Sequence, residues 1–154
     1  MSKKTPNSTA NDQLLARYRQ KRRSGSTPEP FGVQTHSVRV AAGRDAGYPQ
    51  FMIHHHAARN THYDLRLEMQ GVLRSSAGPK GPSPNVQDKR FAALVEDHPL
   101  EYGEFVGRIP DGNYGAGWTI GWDKGFWRPL LYPIEGLKKG KLLFELHGCK
   151  LHGK

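Results

Sequence analysis

From Gly32 onward, the apolar and alternating runs of this chain are broken by Gly, Pro or Asp about every ten residues, a rhythm that leaves little room for helices. That spacing suits an all-β sandwich or barrel. It predicts strands over Gln34–Val40, Phe51–His56, His62–Met69, Val72–Ala77, Arg90–Glu96, Phe105–Ile109, Trp118–Trp122, Phe126–Pro129 and Lys141–His147. Gln70-Gly71 and Lys124-Gly125 fall where tight hairpin turns belong, because glycine tolerates positive φ. Closing such a sheet into a compact antiparallel barrel with few short flanking helices would remove its exposed edges. The 154 residues, 36% hydrophobic with three Trp, six Phe and six Tyr, supply one modest core and hence one domain, over residues 31–154.

Residues 1–30 read differently. They hold seven basic side chains (Lys3, Lys4, Arg17, Arg19, Lys21, Arg22, Arg23) against Asp12 and Glu29, more than half of the chain's net charge of +9. A short amphipathic helix is expected near Leu14, Leu15 and Tyr18, followed by a breaker run from Ser24 to Pro30. This is the pattern of a largely flexible basic arm, suited to nucleic-acid phosphates or acting as a solubilising tail. An excess of 23 Lys and Arg over 14 Asp and Glu favours polyanionic partners, either nucleic acid or an anionic membrane surface. No run approaches the roughly 18 apolar residues of a spanning helix, and MSKKTPNSTANDQ lacks the apolar stretch of a secretory signal. A soluble intracellular protein is expected. The single Cys149 cannot form an internal disulfide, so a metal site would be built from the eight His and the carboxylates.

In HYDLRLEM, alternation turns His62, Asp64, Arg66 and Glu68 to one face and Tyr63, Leu65, Leu67 and Met69 to the other. The second set is a core face. The first is either a solvated surface or a site for a metal or an anion, because its charges cannot be buried unpaired. FMIHHH sharpens the choice. It puts His54 and His56 on one face, His55 on the other, and delivers His56 through AARNT to His62. Two imidazoles and Asp64 can then converge in a set that suits Mn²⁺, Fe²⁺ or Zn²⁺, with Mn²⁺ preferred beside phosphate chemistry. Arg66 lies where a guanidinium fork could grip a metal-bound phosphate, its plainer role being to pair with Glu68. GPKGPS presents Lys80 on a rigid turn and DKRF presents Arg90, either of which could be plain surface charge. VEDHPLEY offers His98 and Tyr102 in a loop where a proton donor or phosphate ligand could sit. GNYGAGWTIGWD lacks the Lys-Ser/Thr ending of a phosphate-binding loop and reads as a turn into a strand.

HAARNTHYDLRLE (56–68), PKGPS (79–83), VEDHPLEY (95–102), IPDGNYGAGWTIGWDKGFW (109–127) and GKLLFELHG (140–148) occur in that order. Together they make the chain, from about Gln20 onward, resemble the 3′-phosphoesterase domain of bacterial DNA ligase D and its stand-alone archaeal and bacterial counterparts. The resemblance implies a β-barrel that trims 3′ ends carrying a ribonucleotide or a phosphate to 3′-OH in end-joining repair, with Mn²⁺ as cofactor and Zn²⁺ or Co²⁺ as substitutes. By position it implies His56, His62 and Asp64 as metal ligands. Arg66, His98 and Tyr102 engage the scissile phosphate, Lys80 and Arg90 serve removal of a terminal 3′-phosphate, and His54, Glu96, Arg22 and Glu29 support. It further implies DNA or RNA 3′ ends as partners, alongside a ligase or polymerase and an end-binding protein, in a cytoplasmic, nucleoid-associated monomer without a membrane role. The family usually has Gln at His54, Asp at Arg23 and Trp-Ala-Val at Ser76-Ala77-Gly78, and continues into a further strand, so the last strand is expected to be short or missing. The competing expectation is a non-catalytic basic barrel that holds nucleic-acid ends for a partner ligase or polymerase.

Overall fold

A computed structural model describes residues 10–32 and 47–154; the expected strand Gln34–Val40, Lys3 and Lys4 lie outside the described residues. The core of the fold is a hairpin. Strand β1 (Gln50–Ala57) pairs antiparallel with β2 (Thr61–Met69), and β2 turns through Gln70 and Gly71, with φ of 55° and 77°, into β3 (Val72–Gly78). Two positive φ values in a two-residue loop are what the twist of paired strands requires, as expected for Gln70-Gly71. Beyond β3 come β4 (Ala93–Leu94), a 3-10 turn over Leu100–Glu104, β5 (Gly107–Ile109), β6 (Gly117–Pro129), a helix over Pro133–Lys138, β7 (Phe144–Gly148) and β8 (His152–Gly153). The sheet order is β4-β3-β2-β1-β6-β7-β8, with β5 also paired to β6.

The fold is therefore mainly antiparallel β with few helices. Its sheet is not closed into the expected barrel: among the described residues no ladder joins β4 to β8. The expected strand Arg90–Glu96 contracts to β4, although Val95 still donates its N–H to the Ser75 carbonyl at 2.9 Å. A second correction concerns β6, which runs unbroken through Lys124-Gly125, where a hairpin had been expected between two short strands. Gly125 is there for a different reason. It lies opposite Phe51 on one side and Gly148 on the other, and a Cβ would collide with the His147 carbonyl oxygen, so glycine permits close strand approach rather than a turn.

Both faces of the sheet are covered, which is why β1 is buried almost throughout. One face packs Phe51, Ile53, Leu67 and Met69 with Trp127; the other packs Met52 and Leu73 with Tyr18, Tyr102, Phe105 and Ile109. Ser76 is half-buried opposite Leu65. Tyr18 comes from the segment expected to be a mobile arm. From Ala10 to Gly32 that segment is docked: two short helices, α1 (Ala10–Leu14) and α2 (Ala16–Gln20), flank the buried Leu15, and α2 buries Tyr18. The Tyr18 hydroxyl donates to the Pro30 carbonyl at 2.5 Å, and Arg19 ties back to the carbonyls of Phe31 and Gly32 at 3.2 and 2.9 Å. The basic residues of this stretch thus serve packing and internal pairing as well as charge.

Candidate metal centre

The register of β1 on β2 sets His56 directly opposite His62 and His54 opposite Asp64. Because both strands alternate faces, these four side chains share one side of the sheet. Ligand atoms of His56, His62 and Asp64 all lie within 4.8 Å of one another. His56 Nε2 lies 2.7 Å from the Gly115 carbonyl and His62 Nδ1 lies 3.0 Å from the Asn60 carbonyl. A carbonyl can only accept, so each of those nitrogens carries its ring's proton. The remaining lone pairs turn inward, His56 Nδ1 3.7 Å and His62 Nε2 3.3 Å from the Asp64 carboxylate.

Two imidazole lone pairs facing a carboxylate repel unless a proton or a metal ion lies between them. The hydrogen bond to Asp64 accordingly raises the His62 pKa. Burial by itself would raise the Asp64 carboxyl, but hydrogen bonding to His56 and His62 and the nearby Arg66 charge hold it well below the usual carboxylate range. The donor set fits a divalent ion: two nitrogens, a dissociated carboxylate, and outer nitrogens fixed by backbone carbonyls in the manner that orients metal-binding histidines. His62 is the most exposed of the three, its side chain 25% accessible, which leaves a side open to solvent.

Arg66 backs this cluster. It is only 2% exposed, and its fork spends Nη2 on Asp64 Oδ2 at 3.2 Å, Nη1 on Ser75 Oγ at 2.9 Å and Nε on His54 Nδ1 at 3.0 Å. Its guanidinium also lies over the Tyr102 ring, 4.6 Å from the centroid. Burial, and then the charge of Arg66, push the His54 pKa down to about 3, so this ring is neutral and acts as the acceptor that Arg66 Nε needs. Glu68, the alternative partner in the sequence reading, instead accepts the Gln50 N–H at 2.8 Å.

Residues 54–154 match the family described as the DNA Ligase D 3′-phosphoesterase domain. The chain belongs to that family. Among its relatives, the multifunctional non-homologous end joining protein LigD of Pseudomonas aeruginosa is 48% identical over 140 residues, covering 91% of this chain and 16% of that protein. The multifunctional non-homologous end joining DNA repair protein LigD of Mycobacterium tuberculosis is 40% identical over 140 residues, again 91% of this chain and 17% of that protein. The chain thus spans about a sixth of the length of these curated relatives.

Within this 3′-phosphoesterase domain, the other residues singled out from sequence fall into two groups. Arg22, Glu29, Glu96, His98 and Tyr102 form one buried network behind Arg66. Arg22 donates to Glu29 Oε2 at 3.0 Å, to Glu96 Oε1 at 3.1 Å and towards His98 Nε2 at 3.4 Å, while Tyr102 gives its hydroxyl proton to Glu29 at 2.7 Å. His98 Nδ1 donates to the Glu96 carbonyl at 2.9 Å. Burial, followed by the charges of Arg66 and Arg22, lowers the His98 pKa well below its ordinary value, so the ring is neutral. Burial raises the Tyr102 pKa, keeping its phenol protonated. Lys80 and Arg90 form the second group, at the surface: Lys80 in the exposed turn after β3, Arg90 paired with Asp88 at 3.1 Å.

Sequence reasoning missed several members of the site. Ser75 is fully buried under Arg66, and the backbone carbonyls of Gly115 and Asn60 fix the His56 and His62 rings. Lys21 bonds to Glu96 at 3.0 Å and lies over the Tyr114 ring. Only the helical spacing of Leu15 and Tyr18 hinted that this segment docks at all.

Proposed function

We propose that this domain is a divalent-metal-dependent 3′-phosphoesterase, with Mn²⁺ as its metal, that trims 3′-ribonucleotide and 3′-phosphate ends of DNA or RNA to 3′-OH during end joining. The observation that carries this reading is the paired lone pairs of His56 and His62 aimed at an ionised Asp64, with a buried guanidinium immediately behind. A cation held by those three residues would draw charge from a phosphate oxygen as the ester bond breaks. Arg66 orients Asp64 and has two N–H groups left to offer a second oxygen. Tyr102 and His54 hold the Arg66 plane in position from below and beside it. His98, neutral and with its proton given to the Glu96 carbonyl, is an acceptor for Arg22 rather than a proton donor, so its part is to hold the arm's arginine fork. Lys80 and Arg90 are assigned to the terminal 3′-phosphate, which carries more charge than a diester and gains most from exposed cations. Hydrolysis of that monoester by water leaves inorganic phosphate and the 3′-OH that a ligase or polymerase needs.

The test is a labelled primer on a template, ending in a ribonucleotide or a 3′-phosphate, incubated with the protein with and without Mn²⁺. Conversion to 3′-OH product by the native chain, absent in His62→Ala and Asp64→Ala, is expected. Undiminished turnover in either variant would overturn the site; tight binding without any product would make the domain an end-holding module instead.

A further inference from the structure

On the sheet face opposite the metal centre, β6 carries Trp118, Ile120 and Trp122 at alternate positions, about 6.5 to 7 Å apart along the strand. Phe51, Ile53 and Trp127 close the core further along the same face, yet Trp118 is 58% and Ile120 47% exposed. Across the sheet, Ile120 pairs with His55, and His55 pairs with Tyr63. The His55 and Tyr63 rings lie 4.8 Å apart, and Tyr63 meets Trp122 edge-on at 5.8 Å. Tyr63 and Trp122 therefore brace each other, while Trp118 presents a large aromatic surface to solvent.

Cations border this strip. Lys150 Nζ lies 4.5 Å over the Trp122 ring, and the turn bearing Lys80 seats Gly81 so closely on Tyr63 that a Cβ would fall 2.6 Å from the ring. Neither lysine has a carboxylate partner among the described residues. Asp123, the acidic residue on this face, is buried and accepts the backbone N–H groups of Cys149, Lys150 and Leu151. An exposed Trp118, with the half-buried Trp122 two steps further along the strand and Lys150 over the Trp122 ring, matches the chemistry that binds unpaired nucleic acid through base stacking and phosphate contacts. A folded protein partner would need a broader buried face, of about 800 Å² on each side.

Placement adds a reason. Trp118 is the strand partner of Ala57, and its neighbour Thr119 is the partner of His56, so the exposed ring sits at the same end of β1 and β6 as the metal centre. A strand leaving that centre needs only to turn over the sheet end at Ala57 to reach it. We propose that this face binds the unpaired strand of a nucleic-acid end, stacking a base on Trp118 and holding a backbone phosphate with Lys150. The polymer's identity rests on the phosphoesterase reading, but the contact does not need catalysis.

The experiment uses the full chain and a fluorescent oligothymidylate, with anisotropy as the binding readout and cleavage of a 3′-phosphate primer measured in parallel. Trp118→Ala should weaken oligonucleotide binding about tenfold, Trp118→Phe should retain most of it, and Lys150→Ala should lower the dependence of affinity on salt. All three should keep cleavage of a saturating blunt duplex unchanged. Affinity within twofold of native in Trp118→Ala overturns the proposal. So does a shift from dimer to monomer in that variant without loss of DNA affinity, which would make the face a contact between copies. Stacking that depends on Trp118 in a chain that cleaves nothing would leave this surface standing and remove the phosphoesterase reading alone.

Discussion

The two sides of the β1–β2 hairpin are buried to a similar degree and built in opposite ways. One side sets Phe51, Ile53, Leu67 and Met69 against Trp127; the other sets His54, Asp64, Arg66 and Ser75 against one another. The apolar side stabilises in proportion to the area it removes from water. The polar side does not: buried ion pairs often contribute little net stability, because desolvation offsets their attraction, although removing one partner is costly. Strands that devote half their buried surface to a charged network are therefore spending it on positioning. In this molecule the charged network is confined to one side of the sheet, where it adjoins the core of Met52 and Leu73, while the other side is apolar.

The hardest blow to that separation would come from Asp64→Ala. It should lower Mn²⁺-dependent turnover about a thousandfold or more and abolish any rise in melting temperature on adding Mn²⁺. A variant that still gains thermal stability from Mn²⁺ would show that the ion binds elsewhere. Trp127→Ala tests the other side. It should cost about 3 to 5 kcal/mol in denaturant unfolding, while the fraction that remains folded still binds Mn²⁺. Loss of Mn²⁺ binding by folded Trp127→Ala would mean the two faces are coupled. Arg66→Lys comes third: one ammonium cannot serve His54, Ser75 and Asp64 at once, so about 2 kcal/mol of stability and a large part of turnover should go together, although the charge is kept. Unfolding curves and turnover measured on the same preparation would show whether the fork, rather than the charge, is what matters.

How much of this was legible in the sequence follows from which forces act locally. The alternation in HYDLRLEM reports the two faces of β2 directly, and the short AARNT link brings His56 and His62 together, so the cluster of His56, His62 and Asp64 that could hold a metal is legible in the sequence. Gln70-Gly71 was equally plain. Lys124-Gly125 misled because glycine has two uses, and only the proximity of β7 shows that here it makes room. Arg66 was placed on the correct face, and of its two expected roles the plainer one, pairing with Glu68, is not what the fold gives it. Its choice of Asp64 and His54 over Glu68 depends on which end of the strand is covered, and the cover comes from Tyr102 and from residues 10–32, distant in sequence. The same long-range packing hid the docking of Tyr18 and Arg22, whose local composition of basic and small polar residues resembles that of an unattached arm.

That docked segment gives the mildest test of the comparison, since it joins the polar side through Glu96. Burial acts to raise the Glu96 pKa, but hydrogen bonds from Lys21, from its own backbone and from Arg22 outweigh it and leave the value below the ordinary 4.5. A carboxylate whose folded pKa is depressed stabilises the folded state fully above its unfolded pKa and loses that contribution as pH falls through the folded value. Stability measured in urea should therefore hold between pH 7 and about 5 as far as this group is concerned, then decline below about 4.5. Glu96→Gln should be less stable than the native chain at neutral pH, because it leaves Lys21 without its counter-charge and Arg22 with Glu29 alone, and the gap should narrow in acid. Trp127→Ala, which removes no titrating group, should show the same acid dependence as the native chain, displaced downward throughout. If Glu96→Gln instead ran parallel to the native curve at every pH, its ion pairs would not be what fastens residues 10–32 to the polar side, and the attachment would have to be credited to the burial of Leu15 and Tyr18 alone.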